Sequence, residues 1–204
     1  MKQMGLATCL LKGRLEAGID EAGRGCLAGP VTAAAVIPGP AGMDWLASGL
    51  NDSKQLNAAA RAELRARIES EALAWAVGWA TVEEIERVNI LQATYLAMHR
   101  AVDALAVCPD HLLVDGNRFQ PHSIAHTCEI KGDGRFLSIA AASILAKTHR
   151  DERMNGLALQ FPQYGWASNM GYPTPAHKKS IQEVGHCLHH RKTFRGVQGS
   201  LFSD

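Results

Sequence analysis

The chain has 204 residues, 47% of them hydrophobic and 20% charged, which is enough for one sizeable core in one domain or one domain plus an appendage. Its net charge of +1 excludes nothing by itself, but the longest uncharged run, Gly25 to Met43, carries Pro30, Pro38, Pro40 and four glycines. A membrane-spanning helix does not tolerate that density of breakers, so the run reads as a strand and a loop.

The amino-terminal apolar stretch is short and closes at Lys12 and Arg14 without a cleavage region, so no secretory signal is expected. Five cysteines (Cys9, Cys26, Cys108, Cys128, Cys187), odd in number and never as Cys-x-x-Cys, fit reduced thiols in a cytoplasmic protein. About Leu11 to Asp20 and Val31 to Ile37 are predicted to be two extended segments of a hairpin, joined through the Gly23-Arg24-Gly25 turn. A glycine-rich loop and a polar hinge, Leu50 to Leu56, come next. Asn57 then caps a helix to about Ala72, with Leu64 and Ile68 on its buried stripe and Arg61, Arg65 and Arg67 outside.

Leu73 to Ala80 alternates as a third strand, and Thr81 with Glu84 forms a capping box for a short helix to Val88. A further helix, about Ile90 to Ala106, presents Leu91, Tyr95, Met98 and Val102 on one face and stops before Pro109. His111 to Asp115 is a buried strand of the kind found in parallel regions, and a fifth strand covers about Ala125 to Ile130. Phe136 to about Leu159 is the longest helix, with small residues around Ala140 to Ser143 that permit close approach to the sheet. A last helix, about Ala176 to Val184, belongs to an appendage beside the sheet. The fold class is therefore α/β, a mixed central β-sheet flanked by helices, with residues 1–160 as the main domain and 161–204 as a helical appendage packed on it.

Four acids are placed to converge at the carboxyl edge of such a sheet: Asp20 and Glu21 at the end of the first strand, Asp115 at the end of the buried strand, and Asp133 after the next. Buried like charges repel and lose their hydration unless a cation meets them. Carboxylates without imidazole or thiolate suit Mg2+ or Mn2+ and not zinc, and paired ions of that kind serve phosphodiester hydrolysis. Each acid also has a plainer reading. Asp115-Gly116 and Asp133-Gly134 are turn signals, and Asp20-Glu21 could be a solvated turn. Zinc remains an alternative through His122, His126 and Cys128, or through His186, Cys187, His189 and His190, although neither group has a full finger spacing. Between His177 and Arg195, five Lys or Arg and four histidines face one acid, which is either a basic surface for a phosphate backbone or a solvated tail.

Beyond these readings, a series of blocks resembles the ribonuclease HII family in order and over nearly the whole chain. They are Asp20-Glu21-Ala-Gly-Arg-Gly with Gly29-Pro30, Asn51-Asp52-Ser53-Lys54, Val114-Asp115-Gly116-Asn117, Lys131-Gly132-Asp133, Ser138 to Asp151, Phe161-Pro-x-Tyr164-Gly, Gly171-Tyr172-Pro-Thr174 and His189-His190-Arg191-x-x-Phe194. The resemblance implies a ribonuclease H-like fold and a nuclease that hydrolyses RNA in RNA–DNA hybrids and nicks duplex DNA 5′ of a misincorporated ribonucleotide, leaving 3′-hydroxyl and 5′-phosphate ends. It implies Asp20, Glu21, Asp115 and Asp133 as catalytic, metal-binding acids for Mn2+ or Mg2+, with Asp151 a rival for the fourth place. Gly23, Arg24 and Gly25 would sense the ribose, Tyr172 would pack on the neighbouring deoxyribose, and Lys54, Ser143 and Lys147 would lie near phosphates. Lys147 could equally pair with Asp151, and Tyr172 could be a half-buried core residue. Met170 stands where relatives often carry a basic residue, and no clamp-binding motif is evident in Phe194 to Asp204. The expected partners are RNA–DNA hybrid and ribonucleotide-containing duplex DNA, with a monomer as default and no membrane. A junction resolvase and a non-catalytic hybrid-binding module are the alternatives.

Overall fold

A computed structural model describes residues 6–40, 44–45 and 57–197. Its centre is a five-stranded sheet built from β1 (Glu16–Ala22), β2 (Val31–Ile37), β3 (Ala74–Ala80), β4 (His111–Asp115) and β5 (His126–Glu129) in the order β3-β2-β1-β4-β5. The first three strands form an antiparallel meander, and β1, β4 and β5 run parallel, so the sheet is mixed as its strand pattern predicts. The extended segment expected from Leu11 begins instead at Glu16. Its carboxylate accepts the backbone N–H groups of Leu10 and Leu11, each at 2.8 Å, and folds the preceding residues into a turn.

Side chains alternate across the sheet with period two. Ala17 and Ile19 face α2 (Val82–Asp103), whereas Gly18 and Asp20 face α3 (Leu137–Gln160), which shares its side with α1 (Ala58–Glu71). Asn57 caps α1 by accepting from Ala60 N–H at 2.9 Å, and Thr81 and Glu84 form the reciprocal capping box of α2. Within α2, Asn89 has φ 69° and its side chain accepts from Leu91 and Gln92 N–H, so it breaks the helix and caps the second half. The break falls where the two helices were expected to part; Leu91, in the first turn after it, is 39% exposed, contrary to the predicted stripe, while Tyr95, Met98 and Val102 are buried as expected.

The carboxy-terminal segment contains α4 (Trp166–Asn169) and α5 (Pro175–Val184) and closes a separate apolar cluster of Leu27, Met154, Leu157, Tyr164, Trp166 and Ile181. Here the expected basic surface loses three of its members. Arg191, His177 and His190 are wholly buried, while Lys178, Lys179, Lys192 and Arg195 are exposed. Trp166 Nε1–H donates to His177 Nε2 at 2.9 Å, which places the His177 proton on Nδ1, 2.9 Å from the Tyr172 carbonyl. His190 Nδ1 accepts the Cys187 N–H at 3.0 Å, leaving its Nε2–H toward His177. Both imidazoles are thus held neutral, and burial first, then His177, pulls His190 from 6.5 down to about 3.

This predicts acid sensitivity. Below about pH 6.5 the unfolded chain takes a proton that the folded chain refuses, so each further pH unit removes about 1.4 kcal/mol until the folded value is reached. Thermal melts between pH 7 and pH 5 are expected to fall more steeply for the wild type than for His190→Gln. Equal slopes would show that His190 is not held neutral in the fold.

Candidate active site

Parallel pairing of β1 with β4 brings the carboxyl ends of both strands to one edge, and there Asp20, Glu21 and Asp115 line a single cleft of about 390 Å³. Ala22, Gly23, Arg24, Arg61, Ser143, Lys147 and Tyr172 complete its walls. Asp20 is nearly buried; it accepts the Glu21 backbone N–H at 2.7 Å and a hydrogen bond from Ser143 on α3. Burial, then the charges of Glu21 and Asp115, push its carboxyl well above the usual carboxylate range. Burial raises Glu21 as well, against the Arg24 guanidinium 3.0 Å away, which pulls it back. Asp115 Oδ1 accepts the Gly132 N–H at 2.7 Å, tying the end of β4 to the one-turn helix Gly132–Gly134.

That turn carries Asp133, which is buried and accepts the Gly134 N–H at 3.0 Å; it sits beside the Asp115 contact but is not among the residues lining the cleft. Lys147 faces the cleft and binds both oxygens of Asp151, at 2.6 and 2.7 Å, so helix pairing accounts for Asp151. The Lys147 Nζ stands 5.9 Å from the centroid of the Tyr172 ring, and that side chain is 40% exposed, not a core tyrosine. Gly25 borders the same turn with open space around it, whereas Gly23 (φ +92°) lies against the Arg150 guanidinium. Lys54 lies outside the described residues.

Sequence reasoning missed Arg61. The helical stripe puts it, with Arg65 and Arg67, mostly outside, yet it reaches the cleft from the first turn of α1. The signal was its place one turn after the Asn57 cap, seven residues beyond Lys54 of the polar Asn-Asp-Ser-Lys block.

The donor set at the strand ends is entirely carboxylate oxygen, with two of its acids, Asp20 and Glu21, raised first by burial and then by neighbouring carboxylates, which is the chemistry a hard divalent cation satisfies. Among the described residues, no three His, Cys, Asp or Glu side chains close into a finished cage; the acids line an open cleft. The proposed zinc group around Cys187 is instead used internally, since His190 accepts from the Cys187 backbone and stacks edgewise on Tyr164 with ring centroids 4.5 Å apart.

Comparison with known proteins gives one consistent picture. The family model described as Ribonuclease HII matches residues 17–197. A Ribonuclease HII of Parabacteroides distasonis is 59% identical over 183 residues, spanning 89% of this chain and 90% of that protein. In three dimensions the ribonuclease H2 of Pyrococcus horikoshii OT3 superposes with a TM-score of 0.76 at 24% identity, over 91% of this chain and 96% of that one. The Bst ribonuclease HIII, crystallised in complex with Mn2+, does so with a TM-score of 0.66 at 22% identity, over 91% of this chain and 68% of that one.

Proposed function

Since this chain belongs to the ribonuclease HII family, and is with it a metal-dependent endoribonuclease acting on RNA–DNA hybrids, we propose that it nicks duplex DNA on the 5′ side of a single embedded ribonucleotide, leaving 3′-hydroxyl and 5′-phosphate ends. The observation that carries this reading is one cleft in which Asp20, Glu21 and Asp115 face a glycine-flanked turn and a half-exposed tyrosine. The three acids, with Asp133 on the adjoining turn, are the groups that would hold Mn2+ or Mg2+. When bound, such an ion supplies charge neutralisation of the phosphodiester and activation of the attacking water.

The chain's own residues do the remaining work. Ser143 and the Glu21 N–H orient Asp20, and the Gly132 N–H orients Asp115, so neither carboxylate must reorganise when substrate arrives. Gly23 and Gly25 let the backbone approach the 2′-hydroxyl, the group that separates RNA from DNA, with Arg24 between them. Tyr172 packs on the deoxyribose of the next nucleotide, where an added hydroxyl would crowd the ring. Lys147 meets a flanking phosphate as a cation, the role that the sequence resemblance also gives Lys54.

In domain terms, residues 1–160 form the catalytic unit and 161–204 an appendage that supplies Tyr172; Ala28 bridging to His190, and Gly29 N–H donating to His189 O at 2.9 Å, support that arrangement. The protein works as a monomer in the cytoplasm, a placement supported by five free cysteines. Among the described residues no helix is long and apolar enough to cross a membrane.

The test uses an end-labelled DNA duplex with one ribonucleotide, an all-DNA control and a uniform hybrid, each with Mn2+, Mg2+ or chelator. One metal-dependent nick 5′ of the ribonucleotide is expected, and none in the control. Tyr172→Ala is expected to lower kcat/KM on the single-ribonucleotide duplex by about tenfold, the scale of one lost stacking contact, with a smaller loss on the uniform hybrid. Equal losses on both substrates would remove Tyr172 from junction reading.

A further inference from the structure

Two arginines that belong to no wall of the cleft are the most completely buried charged side chains in the described chain: Arg150 on α3 is 1% exposed and Arg191 near the carboxy terminus is 0% exposed. Among the described residues neither forms an ion pair with a carboxylate. Arg191 donates from Nε and Nη2 to Gly29 O at 3.0 and 2.8 Å, from Nη2 to Pro30 O at 3.1 Å, and from Nη1 to Arg24 O at 2.9 Å. Arg150 donates from Nε to Pro30 O at 3.0 Å, from Nη2 to Ala28 O at 3.0 Å, and from Nη1 to Met170 O at 2.9 Å. Their acceptors are therefore backbone carbonyls of one stretch, residues 24–30, plus the carbonyl two residues before Tyr172.

Burying a guanidinium is expensive, and well-packed apolar residues of similar volume are often as stable or more so. What an apolar residue cannot do is grip several carbonyls at once, whereas the planar fork of Arg presents five donors in fixed directions. The grip also reaches both reading elements. A Cβ on Gly23 would fall 2.0 Å from Arg150 Nε, so the turn rests directly on that guanidinium, and Arg150 Cζ lies 6.0 Å from the centroid of the Tyr172 ring. The Leu27 N–H donates to Gly171 O at 2.8 Å, closing the same unit from the other side. The turn and the tyrosine are thereby set at one spacing.

We infer that Arg191 and Arg150 are positioning residues that set the preference for a ribose–deoxyribose junction, by fixing the backbone of the Gly23–Gly25 turn relative to Tyr172, which rests on the junction reading proposed above. Neither touches substrate. A reading contact displaced by a fraction of an ångström loses much of its value, and a 1 Å error costs about 10²-fold.

The experiment takes the full-length protein, Arg191→Lys and Arg150→Lys, and measures kcat and KM on the single-ribonucleotide duplex and on the uniform RNA–DNA hybrid. Lys keeps the charge and a donor but not the fork. The ratio of kcat/KM between the two substrates is expected to fall about tenfold in Arg191→Lys, while kcat/KM on the uniform hybrid stays within about twofold. A proportional loss on both substrates, or an unchanged ratio in both variants, would overturn the inference and leave a structural role. Failure of both variants to fold would overturn it equally, because the guanidiniums would then be needed for folding and not for reading. A wild type with no junction preference would instead sink the junction reading itself, a result separable from the others.

Discussion

Asp20→Asn is expected to reduce cleavage by about 10³-fold, the upper end of what one electrostatic group contributes, while making the metal-free protein more stable. The two effects have one cause. Asp20 is buried beside Glu21 and Asp115, and its carboxyl is raised well above 3.8 first by lost hydration and then by those two charges. Above about pH 3.8 the unfolded chain has released this proton while the folded chain still holds it, so the wild type loses stability as pH rises through the raised value. Asn keeps the shape and the hydrogen-bonding oxygen and carries no such penalty.

The melting temperatures of the two proteins in chelator are thus expected to coincide near pH 3.5 and to separate toward pH 8, at about 1.4 kcal/mol per unit of raised pKa and about 2–4 °C per kcal/mol for a chain of this size. Mn2+ is expected to raise the melting temperature of the wild type and to do little for Asp20→Asn, since a ligand stabilises only the state that binds it. A variant less stable than the wild type at pH 8 would show that the carboxylate is already compensated in the free protein. Near-normal turnover would remove Asp20 from catalysis.

Gly18→Ala is expected to have the largest effect on folding. Gly18 lies in the middle of β1 on the side facing α3, and a Cβ there would stand 2.1 Å from the Ser138 carbonyl carbon, 2.3 Å from Ile139 N and 2.5 Å from Ser138 O. All three are backbone atoms, so no rotamer change relieves the clash. Either β1 or the start of α3 must move, at a cost of about 3 kcal/mol or more. Because β1 carries Asp20 and Glu21 and α3 carries Ser143, the surviving folded fraction is also expected to lose cleavage. Gly25→Ala is the matched control for stability: nothing lies within 4 Å of the added carbon, so its melting temperature should stay near that of the wild type. If Gly18→Ala melted within a degree or two of Gly25→Ala, the close approach of α3 to β1 would be wrong.

Much of the chain was legible because its signals are local. Asn57 and the Thr81–Glu84 box start helices where they stand, since a cap acts on N–H groups two or three residues away. The alternation of Ala74 to Ala80 and the apolar run before Asp115 identify strands from their own residues, and the small residues around Ala140 anticipate a helix close to the sheet. The acids could be assigned to strand ends for the same reason. Leu91 shares a helix face with Tyr95 by spacing, but it stands in the first turn after Asn89 and is left 39% exposed, because periodicity identifies a face and not how far along it the core extends.

By itself, then, the sequence determined the elements, their order and the acids at the ends of β1 and β4, because hydrophobic period, capping and strand length act over a few residues. Only the tertiary structure decided that Asp20, Glu21 and Asp115 share one cleft while Asp133 stands on the turn beside it, and that Arg61 joins them from α1. It also decided that Arg191 is no part of a basic surface. The hydrogen bond from that side chain to Arg24 O spans 167 residues, and whether a guanidinium meets water or a ring of carbonyls depends on which distant segment folds over it.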